Sequence, residues 1–470
     1  MNRRNFLINA AMASGGAALM FGGFLRRADI FAQTGNFEAL RAIGYGELAP
    51  TAAKNTGEML LALPKGFEYK VFGKAGGIMT DGQKTPRAHD AMATFQVNGD
   101  LRIVRNHEIY NRIPSDGAAI GTGNHYDQTA GGGTTTLIIN RKSREIVRDF
   151  VSLSGTLNNC AGGTTPWGSW ISCEEITFGQ TKYTAKDGKE VGGYVKAHGY
   201  CFEVSAAANE NLPTVPLKAM GRFVHEAVAV DRKTGIVYET EDNNPAGFYR
   251  FVPNRKKQLA EGGTLQVLAV KNQPNYDTRT KQKIGAVLAT NWLEIKNPDP
   301  IEADTDSLAM FKPAMKNGAA LFNRLEGCIP AKNEQIYFAS TSGGDSRCGQ
   351  IWLYEPAGRD AGNLTLVFES PDQRVLDMPD NICLSPKNNL LFMCEDSDYK
   401  FAGASSPENF IRILTPEGKV ADFAKNITPG KEASEFAGAT FSKDGKTLFV
   451  NIQTAGVTVA IWGDWKNFKD

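Results

Sequence analysis

The chain has 470 residues, 41% of them hydrophobic and 22% charged, proportions ordinary for a globular protein with a large core. A formal net charge of +1 argues against a dedicated nucleic-acid binder, which carries a clear basic excess. Its 49 glycines and 21 prolines are scattered rather than clustered, which predicts many turns and many short strands.

At the N-terminus, Arg3-Arg4-Asn5-Phe6-Leu7 resembles a twin-arginine export signal. The apolar stretch behind it, Ala10 to Leu25, falls short of the ~20 residues a spanning helix needs, so no stable membrane span is expected. Residues 1–32 are therefore read as a signal peptide processed near Ala32, with a weak membrane anchor as the alternative. Residues 33–470 are read as a single domain, periplasmic or secreted, with the twin-arginine translocon as partner during export. That route carries folded proteins, so the seven cysteines need not form disulfides. There is no C-x-x-C pair, and most cysteines sit in apolar strand runs as small buried side chains. Cys160 differs, lying in the polar run Asn158-Asn159-Cys160-Ala161-Gly162-Gly163, which is read as a loop.

Hairpin signals follow in series. Runs 92–97 and 101–105 lead to Asn106-His107-Glu108, and 167–173 leads to Cys173-Glu174-Glu175. Runs 227–230 and 236–240 flank Thr234-Gly235, and 335–339 leads to Thr341. Runs 382–385 and 390–393 flank Asn388-Asn389, and 439–442 and 447–450 flank Asp444-Gly445. Repeated all-β units of this size predict a six-bladed β-propeller with loop insertions. The largest insertion, 271–313, shows few strand signals; its Glu302, Asp304 and Asp306 either bind calcium or form a solvated acidic loop.

One spacing recurs. Cys160 precedes Glu175, Glu226 precedes Glu241, and Asp380 precedes Glu395 by 15 residues; Glu326 precedes Thr341 by 15 and Glu435 precedes Asn451 by 16. Two short antiparallel strands and a turn fill that interval and return the chain to the same sheet edge. Glu108, Glu174, Glu175, Glu226, Glu241, Asp242, Glu326, Asp380, Glu395, Asp396 and Glu435 all fall at that edge. So many like charges share a site only around cations; the alternative is a merely hydrophilic face. Oxygen-rich, histidine-poor ligation favours Ca²⁺, and one thiolate admits iron. His107 and His225, each beside a candidate ligand, are read as supporting partners or as structural histidines. Arg324 either clamps an anionic substrate, phosphate in particular, or pairs with one of the carboxylates. There is no G-x-S-x-G, H-E-x-x-H or Walker motif.

These residues carry a family resemblance. The run from Asn158 to Glu175, with His225-Glu226, Arg324-x-Glu326, Asp380-Asn381, Glu395-Asp396 and the stretch from Phe441 to Gln453, resembles the PhoX-type alkaline phosphatases. Where that family tends to show Gly-Asp-Asp, this chain has Thr240-Glu241-Asp242-Asn243, and its Ile-Gln-His-Pro-Gly appears as Ile452 to Gly456 with Thr454 and Ala455. The resemblance implies hydrolysis of a small phosphorylated substrate by an Fe³⁺–Ca²⁺ cluster. Cys160 would be the thiolate ligand of iron, with Glu175, Glu226, Glu326, Glu108, Asp242 and Glu395 completing the shells. Arg324 would hold the phosphoryl group, and an oxo or hydroxo group on the metals would attack phosphorus. A monomer is expected. The competing readings are a calcium-dependent lactonase or phosphotriesterase-like propeller and a non-enzymatic, metal-braced binding propeller.

Overall fold

A computed structural model describes residues 43–185 and 188–469; the expected signal segment, 1–32, lies outside the described residues. Antiparallel sheets make up nearly all the regular structure, in a propeller-like arrangement, and the helices are short. The innermost strands are His89–Val97, Asn159–Thr164, His225–Val230, Leu325–Pro330, Pro379–Leu384 and Phe436–Phe441. Each packs against the next, and Phe436–Phe441 packs against His89–Val97, so the ring closes.

Local chemistry explains the hairpins. His89–Val97 turns into Asp100–His107 through Asn98-Gly99, both at positive φ (50° and 90°), as a tight two-residue connection requires. Gly132–Ile139 and Ile146–Thr156 complete that sheet, and Ser169–Glu174 and Cys201–Ser205 extend Asn159–Thr164. The strand Val287–Glu294 pairs with both Gly263–Val270 and Ala361–Glu369, joining two four-stranded groups into one nine-stranded sheet. The strand-poor expectation for 271–313 therefore needs correcting. Its strand leaves the apolar Val287 and Ala289 exposed and buries Thr290, so the apolar-in, polar-out alternation that signals a strand is missing from its sequence. Asp304 in that region is buried against Arg222 rather than solvated. The last sheet combines Phe436–Phe441, Thr447–Ile452 and Val457–Trp462 with Glu68–Phe72, fastening the two ends of the described chain together.

The inner hairpins share one irregularity. His89 pairs with His107, Asn159 with Glu174, His225 with Glu241, Leu325 with Ser340, Pro379 with Glu395 and Phe436 with Ile452. In the first five the register slips by one residue just beyond this pair, and in the sixth it slips one pair later, after Ala437–Asn451, a β-bulge in the inner strand each time. The residue following each inner-strand pairing residue is, in chain order, Asp90, Cys160, Glu226, Glu326, Asp380 and Ala437. The next residue is small in five cases and Asn in the other: Ala91, Ala161, Ala227, Gly327, Asn381 and Gly438. These small residues line a central channel of about 140 Å³. Space there is tight: a Cβ on Gly327 would sit 2.5 Å from Asp380 O, and one on Gly438 2.8 Å from Asp90 O.

Side chains from neighbouring sheets pin the bulges. Asn106 donates to the carbonyls of Cys160 and Ala161 (3.0 and 2.7 Å), Thr240 to that of Glu326 (2.7 Å) and Asn451 to that of Asp90. Asn106, Thr240 and Asn451 each immediately precede the residue that pairs at the bulge, so one device is repeated around the ring.

Candidate metal centre

The bulges turn the register into an array of carboxyl groups with one thiol. Asp90, Cys160, Glu226, Glu326 and Asp380 occupy the bulge position, and Glu108, Glu175, Asp242, Asp396 and Gln453 follow the paired residue on the second strand of their hairpins. Four groups result, each with donor atoms within 4.8 Å of one another. They are Cys160, Glu175 and Glu226; Glu175, Asp242 and Glu326; Glu226, Glu326 and Asp380; and Asp90, Glu108 and Glu435. Glu175, Glu226 and Glu326 each belong to two groups, so the first three form one continuous cluster. Asp396 acts electrostatically on Glu108, Asp380 and Glu435 and belongs to the same field.

Three expected ligands are not brought in. Glu174 accepts from the backbone N–H groups of Leu157, Gly199 and Tyr200 and from His198 Nδ1. Glu241 accepts from Gly247 N and the Tyr249 hydroxyl (2.8 and 2.7 Å). Glu395 accepts from Asp377 N, Phe410 N and Arg412 Nε. All three are the residue paired at the bulge, one position before the array, and alternate residues of a strand face opposite sides. The correction is a single one-residue displacement made three times. Cys160 likewise lies in a strand, Asn159–Thr164, rather than a loop.

The sequence reading missed Asp90. Its signal was present: His89-Asp90-Ala91 repeats the pattern of His225-Glu226-Ala227. His107 hydrogen-bonds Arg87 O and Thr135 Oγ1, and His225 contacts Gly221 O, so neither ring is directed at the carboxylates by these bonds.

Electrostatics tests the fit to cations. Burial, reinforced by neighbouring negative charges, raises the carboxyls of Asp90, Glu175, Glu226, Glu326, Asp380 and Glu435 well above the usual range. Burial pushes Glu108 to about 7, against the lowering effect of Gln453, which donates to it at 2.6 Å. Burial also raises the Cys160 thiol, with the Glu226 charge next in size. Acids held in this way retain protons until cations displace them, and the donor set of many carboxylates plus one thiol fits hard cations together with iron.

Arg324 supplies positive charge at the mouth. Its Nε and Nη2 form a fork on Asp242 (both 2.9 Å), and Nη2 also reaches Glu326 Oε1 at 3.0 Å. Burial opposes its charge, and the neighbouring carboxylates, Glu326 foremost, outweigh that and hold it protonated. The side chain remains 36% exposed, open to an incoming anion. Of the two sequence readings of Arg324, the ion pair with neighbouring carboxylates is the one the structure shows.

The chain matches the family model described as alkaline phosphatase PhoX over residues 43–149 and 142–456. No curated protein sequence matches it. Among solved structures it resembles Pseudomonas fluorescens PhoX in complex with vanadate, a transition state analogue, with a TM-score of 0.66 and 18% identity over 90% of this chain and 98% of that one. A gluconolactonase from Xanthomonas campestris, XC5397, matches with a TM-score of 0.41 and 11% identity over 89% and 98% of the two chains. With nearly its whole described length matched by the family model, this chain belongs to the PhoX alkaline phosphatase family and is a phosphatase.

Proposed function

We propose that the protein is an exported phosphomonoesterase that works with an iron–calcium cluster. The observation carrying this reading is the convergence of Cys160, Glu175, Glu226, Asp242, Glu326 and Asp380 beneath the exposed fork of Arg324. Cys160, Glu175 and Glu226 would hold iron; Glu175, Asp242, Glu326 and Asp380, with the Asp90, Glu108 and Glu435 group, would hold calcium. When bound, the metals supply Lewis acidity, an activated oxygen nucleophile and charge neutralisation at phosphorus. The chain's own part is to orient and to bind. The bulges and their Asn and Thr clamps fix the ligands, and Gln453 orients Glu108. Arg324 exchanges its carboxylate contacts for two phosphoryl oxygens, a planar match for its fork.

The ring of inner strands supports a count of six blades, and we read residues 33–470 as one propeller domain. The Arg3-Arg4 motif supports twin-arginine export to the periplasm or beyond. No helix among the described residues is long and apolar enough to cross a membrane.

Metal analysis of the full protein, paired with a phosphomonoester assay, tests the reading. Iron and calcium should co-purify, and Cys160→Ala should lose iron and activity together. Full calcium with no iron in an active enzyme would overturn it.

A further inference from the structure

A second group of donor atoms lies outside the carboxylate array. Cys173 and Cys201 stand directly opposite each other on paired strands, their sulfurs 3.6 Å apart. Cys201 Sγ is 3.4 Å from His225 Nδ1, and His225 Nδ1 is 3.4 Å from Glu239 Oε2. The donor atoms of Cys201, His225 and Glu239 all lie within 4.8 Å of one another, and all four residues are fully buried.

Two features show that this group faces a ligand rather than packing as ordinary core. His225 Nε2 lies 3.1 Å from the carbonyl of Gly221. A carbonyl only accepts, so Nε2 carries the proton and Nδ1 presents its lone pair to Cys201 and Glu239. A hydrogen bond from the far nitrogen that orients the ring is the arrangement metal-ligating histidines use. The Phe223 ring, 3.6 Å away between centroids, holds the imidazole in that plane. Glu239 is the second feature: neither of its carboxyl oxygens has a hydrogen-bond partner, although the side chain is wholly buried. An orphaned carboxyl there is costly unless a cation compensates it.

We propose that Cys173, Cys201, His225 and Glu239 bind one divalent transition-metal ion, zinc by the character of the donor set. Two thiolates, an imidazole and a carboxylate fill a tetrahedral shell and leave no open position, which marks a structural site. Binding releases the two thiol protons and the carboxyl proton of the buried Glu239 to solvent. The ion would brace the Ser169–Glu174 and Cys201–Ser205 strands to the His225–Val230 and Val237–Glu241 hairpin, behind the strand that carries Glu226. Cys173 occupies the position that Asn106, Thr240 and Asn451 use elsewhere to clamp a bulge, so a metal link replaces a hydrogen bond at this point of the ring. A Cys173–Cys201 disulfide is the competing arrangement, but it would leave Glu239 without a partner.

The proposal is independent of the iron–calcium reading, because none of its four donors is assigned to that cluster. X-ray absorption and metal analysis on the full-length protein, expressed with zinc supplied, test it. The expected result is one zinc per chain with two sulfur neighbours at ~2.3 Å, retained in Cys160→Ala and lost in Cys201→Ala. Should Cys201→Ala fail to fold, the wild-type spectrum still decides. A wild-type protein with no metal in a two-sulfur shell overturns the proposal. So does a Cys173–Cys201 disulfide found by mass analysis, or an unchanged zinc content in a folded Cys201→Ala.

Discussion

Glu174 and Glu175 are adjacent in the chain and serve opposite sides of one sheet edge. Glu174 closes a network of three backbone N–H groups and His198, whereas Glu175 meets Cys160 and Glu226. Their neutralisation should therefore have opposite signatures. Glu174→Gln strips charge from a fully buried hydrogen-bonded pair and should cost about 3 kcal/mol of stability in denaturant unfolding. Metal content and activity of its folded fraction should persist. Glu175→Gln should keep the fold and lower metal content and activity by roughly 10²-fold or more, beyond what loss of a supporting partner costs. The reverse pattern would reinstate Glu174 as a ligand.

That contrast also shows what was legible from sequence. The all-β repeat and the convergence of hairpin ends follow from turn residues and period-two runs, which are local signals. Which of two neighbouring acids turns inward depends on register, and a single bulge shifts the register by one. Nothing local in Cys173-Glu174-Glu175 or Thr240-Glu241-Asp242 announces that bulge. It arises where inner strands crowd around a channel, and the small residues Ala91, Ala161, Ala227, Gly327 and Gly438 are its trace in sequence. Asp90 was hidden for a related reason, because its strand begins three residues before the apolar run that signalled it.

Metal-free protein should lose stability as pH rises. Glu108 has a folded pKa near 7 against an ordinary value of 4.5, so between these limits the folded state binds the extra proton. Stability from that proton is full below pH 4.5 and is lost as pH climbs through 7. The other buried acids of the array shift in the same direction and extend the loss upward. Chelated protein should thus show an unfolding free energy that falls from pH 5 to 8, with a slope of roughly 1 kcal/mol per pH unit in denaturant titrations. Reloading calcium should flatten the profile, and a flat profile without metal would show that these acids are not buried together.

Arg324→Ala should raise KM for a phosphomonoester and lower kcat/KM by roughly 10²-fold, the scale of losing one preorganised donor to transition-state charge. Arg324→Lys should recover little of this, since an ammonium cannot reproduce the fork on Asp242. The effect on folding should be small, because the side chain is over one-third exposed and solvent screens its pairs. Unchanged KM in Arg324→Ala would remove the phosphate-binding role.

His198 offers a test remote from phosphate chemistry. Its Nδ1 lies 2.6 Å from Glu174 Oε1, and its Nε2 lies 3.5 Å from Asp127 Oδ2, so a buried imidazolium sits between two carboxylates. Burial alone would lower its pKa; Glu174 and Asp127 overcome that and raise it to about 9. The folded state therefore binds the proton more tightly than the unfolded chain, whose histidine titrates near 6.5. Its stabilisation is complete below pH 6.5 and disappears as pH rises through 9. His198→Gln should accordingly destabilise the protein most at pH 6, by about 3 kcal/mol. That difference should shrink steadily toward pH 9, where the wild-type imidazole is losing its charge. Paired denaturation curves at pH 6, 7.5 and 9 measure the trend, and a difference independent of pH would mean that His198 is neutral in the folded protein.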